Sequence, residues 1–354
     1  MSYGRARSAG LSLVELMIGM ALGLILVLGV TQIFISNKQG YRVQESNAQL
    51  QENARFALEH IGRILRHADF WAGVDAANVL VRASAATPSG ASTCNSAWIL
   101  DVSTGLRGYD GGTAPPIDCI ASANYVPNTD VVVSRYADPA EVLLDSQIAT
   151  LQGSGSRAAL LRTLPGQYGI LFNAFGSSPN GWSAVAGSTS SPMYRVNDTI
   201  DGYFNHVMRT DVLFLRPCST KASSNCTTSS DGGTPTPTLV VNRLTANGSS
   251  PPGLVETPLV EYVEQLQLQY GIDTNADKAV DRYYSASAMP LAAWSQVIMV
   301  RAGVIVRGPA VDNFTDTDSY ALPGGYTYTP DATLRRYPRR MVVKDFQVRN
   351  RVRG

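Results

Sequence analysis

Charge is scarce in this chain of 354 residues: Asp, Glu, Lys and Arg together make up 16%. So low a share excludes a disordered acidic or basic tail, whose composition charge would dominate. Histidine is scarcer still, with three residues. His60 and His67 lie seven apart on one helical stretch with no third ligand nearby, which reads as solvated helix positions. So few histidines leave little for nucleophile–base pairing. No GxSxG, HExxH, P-loop or GxGxxG followed by an acid occurs either. The expectation is a protein that is not an enzyme. Cysteine is limited to Cys94, Cys119, Cys218 and Cys226, none in a CxxC, and the nearest histidine, His206, lies twelve residues before Cys218. Zinc spacing is missing. Two disulfides fit better and imply an oxidising compartment outside the cytoplasm. Local pairing joins Cys94 to Cys119 and Cys218 to Cys226, with two other pairings left open by the sequence. A Cys218–Cys226 bridge would clip the root of a low-complexity loop and contribute about 2–4 kcal/mol.

What is plentiful is apolar length. Leu16 to Asn37 runs 22 residues without a charge, enough to cross a hydrocarbon core of about 30 Å as a helix. Arg5 and Arg7 precede it, so the leader should stay cytoplasmic and the body should be exported. A secretory peptide would carry a small-x-small cleavage site after its apolar region. Here "TQIFISNKQGY" follows, and the small residues Ser8, Ala9 and Gly10 come first. Glu15 is the one acid within the apolar stretch, a placement that costs a few kcal/mol on insertion scales and calls for a partner. An acid at the membrane edge that reaches the headgroups is the other reading.

The stretch "AGLSLVEL" resembles the class III leader of type IV pilins and type II secretion pseudopilins. The resemblance implies that a prepilin peptidase cuts between Gly10 and Leu11 and methylates the new N-terminus at Leu11. Residues 1–10 would then be the cleaved leader, and Glu15 the fifth mature residue, paired with the Leu11 amine of a neighbouring subunit. Leu11 departs from the phenylalanine usual at that position but keeps it apolar. Farther on, "LQENARFALEHIGRILRHADFWAG", "LVEYVEQLQLQYGIDTN", "VIMVRAGVIVRG" and "RRYPRRMVVKDFQVRNRV" resemble the PilW family of minor pilins, while about 75–250 carries little resemblance.

The helix should continue past the membrane, since Leu50, Ala54, Ala57, Leu58, Ile61, Ile64, Leu65 and Ala68 recur at three- and four-residue steps. Helix would thus fill 11–70, with its transmembrane part at 16–37 and a weak point at Gly40. From 71 to 354, strands separated by Gly/Pro/Ser/Asn loops take over, with 31 glycines and 19 prolines in the whole chain. "TDVVVSRY" and "TDVLFLRP" echo each other faintly. In "VEQLQLQYGID", Leu266, Leu268 and Tyr270 alternate with Gln265, Gln267 and Gln269, predicting a strand with one wet face. Ile298, Val300, Ala302, Val304 and Val306 predict another buried face, and "MVVKDFQVRNRV" a final strand. Helix first and antiparallel strands afterwards give an α+β fold: a long N-terminal pilin helix on a mainly antiparallel β body with long loops.

Two charged features remain. "DTNADKAVD" sets Asp273, Asn275 and Asp277 at alternate positions, with Asp281 beyond, like the start of a calcium loop. Lys278 stands where glycine is wanted and Tyr284 where glutamate is, so the choice is between calcium, the one cofactor candidate, and a plain polar turn. From Arg335 to Gly354 the net charge is +7, leaving −6 for the rest. Nucleic acid is disfavoured because no aromatic stripe accompanies the cations, and an acidic patch on a partner pilin fits better. The resemblance implies a minor pilin that joins other minor pilins and the major pilin in a tip complex priming assembly, with a possible tip adhesin and an inner-membrane platform. It implies an inner-membrane precursor and a pilus-tip product. A type II secretion pseudopilin and a signal-anchored periplasmic binding or adhesion module are the alternatives.

Overall fold

The computed structural model describes residues 12–81, 94–143, 147, 158–164, 168–174, 204–247, 250–311 and 314–352. Helix α1 (Leu13–His67) is 55 residues long and passes through Gly40 without a break. It ends where Ala68 turns extended (ψ 136°) and Asp69 adopts a positive φ of 63°. Ser46 is its first buried residue among those whose burial is described. The stripe from Leu50 to Ala68 is buried as the three- and four-residue spacing predicts.

Two antiparallel sheets carry the body, so the fold is α+β. The first holds β1 (Val79–Val81), β2 (Leu106–Tyr109), β3 (Val131–Leu143), β4 (Ala158–Leu164), β5 (Tyr168–Ala174), β6 (Phe204–Arg216), β7 (Thr238–Asn247) and β8 (Ser250–Glu261). Its order is β1-β5-β4-β6-β3-β2, and β6 forks: its first half pairs with β4, its second with β7, which carries β8. Only β1 and β5 run parallel among the described strands. The two echoing segments prove to be partners, with Val132 opposite Leu213 and Arg135 opposite Thr210. The second sheet, from β9 (Val263–Ile272), β10 (Arg282–Tyr284), β11 (Val297–Arg307) and β14 (Arg339–Gln347), has the order β10-β9-β11-β14. Between its last two strands, residues 308–338 hold a small hairpin, β12 (Tyr320–Ala321) and β13 (Thr327–Tyr328).

One core joins α1 to both sheets. Ile61 and Leu65 meet Leu213, Leu239 and Val241 of the first sheet and Leu266, Val300 and Val304 of the second. The opposite face of the first sheet, with Val131, Val133, Val212 and Phe214, packs on Ile117, Ile120 and Tyr125. A disulfide from Cys94 to Cys119 closes that covering segment, which follows the turn α2 (Ser96–Ile99). A second joins Cys218 to Cys226. Burial on both faces explains the unbroken apolar runs "VVV" and "VLFL". Peptide mapping without reductant should recover Cys94–Cys119 and Cys218–Cys226 peptides; free thiols at all four positions would overturn the export argument.

Three sequence expectations need correction. The glutamine face of β9 is not wet: Gln265 and Gln267 are buried. Gln267 donates to the Asn128 carbonyl at 2.7 Å and to Gln265 at 3.2 Å. Covering chain, not solvent, satisfies these amides. In β11 a register shift between Val297 and Met299 turns Val297, not Ile298, into the main core. The final strand stops at Gln347, and Arg349–Val352 forms a helical turn, α3, so the end of the expected strand "MVVKDFQVRNRV" leaves the sheet.

Asp130 stitches the sheets together. Its carboxylate accepts from Gly111 N at 2.9 Å and Leu268 N at 2.7 Å, and its own N–H donates to the Leu266 carbonyl at 2.9 Å. Burial raises its pKa to about 7, against those hydrogen bonds and with help from nearby Asp110. The folded protein therefore holds a proton there that the unfolded chain releases above pH about 4. This group's contribution to stability falls as pH rises from about 4 to 7 and is constant above. Chemical unfolding of wild type and Asp130→Asn across pH 5–8 should show a slope in the difference below pH 7 and none above. A flat difference throughout would contradict it.

Candidate functional site

The N-terminal half of α1 is the one long apolar surface the described body leaves uncovered. No residue from Ser12 to Lys38 is buried, and its large aliphatic side chains are 51% (Ile35) to 73% (Leu13) exposed. This segment is long and apolar enough to cross a membrane. Thr31, one of its polar residues, returns its hydroxyl to the Val27 carbonyl at 2.7 Å, so the helix satisfies it internally. Lys38 and Tyr41 follow, exposed, where a water interface would begin.

Glu15 sits in the first turn, at the rim of the apolar segment rather than within it. Ser12 is the N-cap: its hydroxyl accepts from Val14 N at 3.3 Å, and Glu15 Oε2 accepts from Ser12 N at 3.0 Å. This is a capping box, two orphan donors satisfied reciprocally. Its signature, Ser-x-x-Glu in "SLVE", stands in the sequence but is masked there by the carboxylate's other suggested role. Gly10 and Leu11, the expected cut and methylation positions, lie outside the described residues.

The other end of α1 is fastened by residues that sequence reasoning did not single out. Asn350 Nδ2 donates to the carbonyls of Arg66, His67 and Ala68 at 3.2, 3.4 and 2.9 Å, meeting acceptors the helix end leaves orphaned. Arg351 pairs with Asp69 at 2.7 Å and also donates to the Trp294 carbonyl, while Asp69 accepts from Trp71 at 2.8 Å. The Arg339 side chain is buried between Glu264 and Asp316, at 2.5 and 3.0 Å. Arg307 lies 3.7 Å from Glu264, and the Tyr320 hydroxyl donates to Asp316 at 3.0 Å. Two cations of the basic C-terminus, Arg339 and Arg351, are therefore turned inward. No local pattern marks these pairs, because their partners lie up to 282 residues away.

The calcium candidates form a turn that answers its own polarity. Asp273 accepts from the N–H groups of Asn275, Ala276 and Lys278 at 3.2, 2.7 and 2.7 Å. Asn275 accepts from Asp277 N at 3.0 Å, and Asp281 accepts from Thr274 N at 2.7 Å. Lys278 takes the left-handed φ of 69° where glycine was wanted. Among the described residues, no group of three or more His, Cys, Asp or Glu is placed to hold a metal.

Residues 225–350 match the family described as type IV pilus-assembly protein W, PilW. Residues 5–31 match the prokaryotic N-terminal methylation motif, which spans Gly10, Leu11 and Glu15. The two matches support a PilW-type pilin. No curated protein and no solved structure matches it. The PilW match covers the whole second sheet and reaches Asn350 in α3. The body-packed half of α1, where a resemblance was also read, lies outside both matches. The methylation motif and the bare apolar helix are compatible with membrane anchoring and with a pilus.

Proposed function

We propose that this PilW-type pilin is a minor pilin that joins other minor pilins in a complex at the pilus tip and primes polymerisation. The observation that carries the reading is one helix with two solvents. Residues 13–38 are bare and apolar, residues 46–68 are built into the body, and no break separates them. Such a helix can pass from the lipid of the inner membrane to a bundle of like helices without refolding, since both surround it with apolar surface. The body then rides outside as a large cap that a repeated shaft layer would have little room for. The PilW match over 225–350 supports the pilus reading over a type II secretion pseudopilin.

Processing by a prepilin peptidase follows from the same reading: a cut between Gly10 and Leu11, then methylation of Leu11. Intact mass and N-terminal sequencing of the chain from its native host should give a mature protein starting at methylated Leu11. A mature chain that keeps residues 1–10 would favour a simple signal anchor. Co-purification of the full chain with the other pilins tests the assembly step itself.

A further inference from the structure

We infer that the free edge of β14 is a docking site for an extended acidic segment of a neighbouring pilin, added as a further strand to the second sheet. The inference deepens the assembly reading and rests on it. The far side of that sheet is closed: β10 pairs with the end of β9, and Asp130 occupies the Leu266 and Leu268 backbone positions next to it. β14 has no such cover. All nine of its residues pair with β11, and among the described residues none pairs with another strand. Apart from that ladder, no hydrogen bond among the described residues reaches the backbone of 340–347.

The chain sets prolines in its other long edge and none in this one. β8 carries Pro251, Pro252 and Pro258, which cannot donate to an added strand. β14, "RRMVVKDFQ", has no proline, glycine or bulge along its length. No residue from Arg340 to Asp345 is buried, and Val343 is 43% exposed. An edge with unpaired backbone and neither proline nor bulge can take a further strand, and its exposed cations select which strand that is. Beside it, Val343, Lys344, Asp345, Arg301 and Leu322 help line a shallow groove of about 650 Å³. Backbone pairing at the edge would give affinity, and side chains falling in the groove would give choice.

Charge selects the occupant. Arg339 and Arg351 are consumed internally, which leaves Arg340, Lys344 and Arg349 exposed along the edge. The one acid there, Asp345, is bound to Arg301 at 2.8 Å. Arg340 and Lys344 share a face of the strand, two pleats apart, so acids at alternate positions of an incoming strand would meet them.

Hydrogen exchange of the full-length chain in detergent micelles tests this, with two synthetic octapeptides as probes: one alternating Glu and Val, the other Lys and Val. Amides of 340–347 that point away from β11 should exchange fast in the free chain. They should slow about tenfold or more with the Glu–Val peptide and not with the Lys–Val peptide. Equal protection by both peptides, or by neither, overturns the proposal. In a second arm, the Arg340→Glu/Lys344→Glu chain, with its unfolding midpoint unchanged, should co-purify other pilins at about a tenth of the wild-type level. Capture at the wild-type level would overturn the edge and leave the assembly reading standing. No pilin captured by the wild-type chain would sink both. A wild-type dimer that the double variant loses, seen by light scattering, would identify a second copy as the occupant and overturn the acidic-partner assignment.

Discussion

Arg339→Ala should destabilise the body by about 3–5 kcal/mol, while Arg340→Ala should change it by less than about 0.5 kcal/mol. The residues are neighbours with the same side chain. The Arg339 side chain is buried between Glu264 and Asp316, whose side chains are 6% and 2% exposed. Removing the guanidinium leaves buried Asp316 without a cation and Glu264 with only Arg307, 3.7 Å away, the costly way to break a buried ion network. It also frees the 308–338 segment from β14, because Asp316 belongs to that segment. Arg340 is exposed, with no ion pair among the described residues, so its truncation removes little but solvated surface. Urea unfolding monitored by tryptophan fluorescence should show a large drop in midpoint for the first variant at unchanged slope, and almost none for the second. Equal midpoints would mean that the Glu264–Arg339–Asp316 network is not a stabilising link between the sheet and its covering segment.

Glu15→Leu and Glu15→Gln should both cut pilus number, by about tenfold or more, if the carboxylate's charge is paired with a neighbour's N-terminal amine in the assembled helix bundle. The capping box makes the comparison sharper. Glutamine can still accept from Ser12 N, so Glu15→Gln keeps the cap and removes only the charge. Leucine removes both, at a further cost of about 1 kcal/mol to the first turn. The body should stay folded in either variant, since residues 12–38 of the helix are all exposed and none of the body packs near the cap. Counting pili at equal expression and co-purifying the other pilins reads the outcome. A defect in Glu15→Leu alone would assign Glu15 to the cap. Normal piliation in both would favour a carboxylate that only reaches the headgroups.

The sequence by itself determined what depends on local spacing. The charge-free run of 22 residues fixed an apolar helix of membrane length, and the steps from Leu50 to Ala68 fixed which face the body would cover. The methylation signature at Gly10, Leu11 and Glu15 is equally local, as are the strand positions of Thr129–Tyr136 and Thr210–Pro217. Tertiary structure decided everything that depends on what lies across a strand or over its face. Gln265 and Gln267 alternate with leucines as a wet face would, yet the chain closes over them and hydrogen bonds replace water. The +7 terminus looks like one basic surface in sequence, yet Arg339 and Arg351 turn inward while Arg340, Lys344 and Arg349 remain outside. Side-chain period is a property of a few neighbouring residues and can be read along a chain. A buried ion pair needs two groups brought together by the whole fold, and no stretch of sequence contains both halves of it.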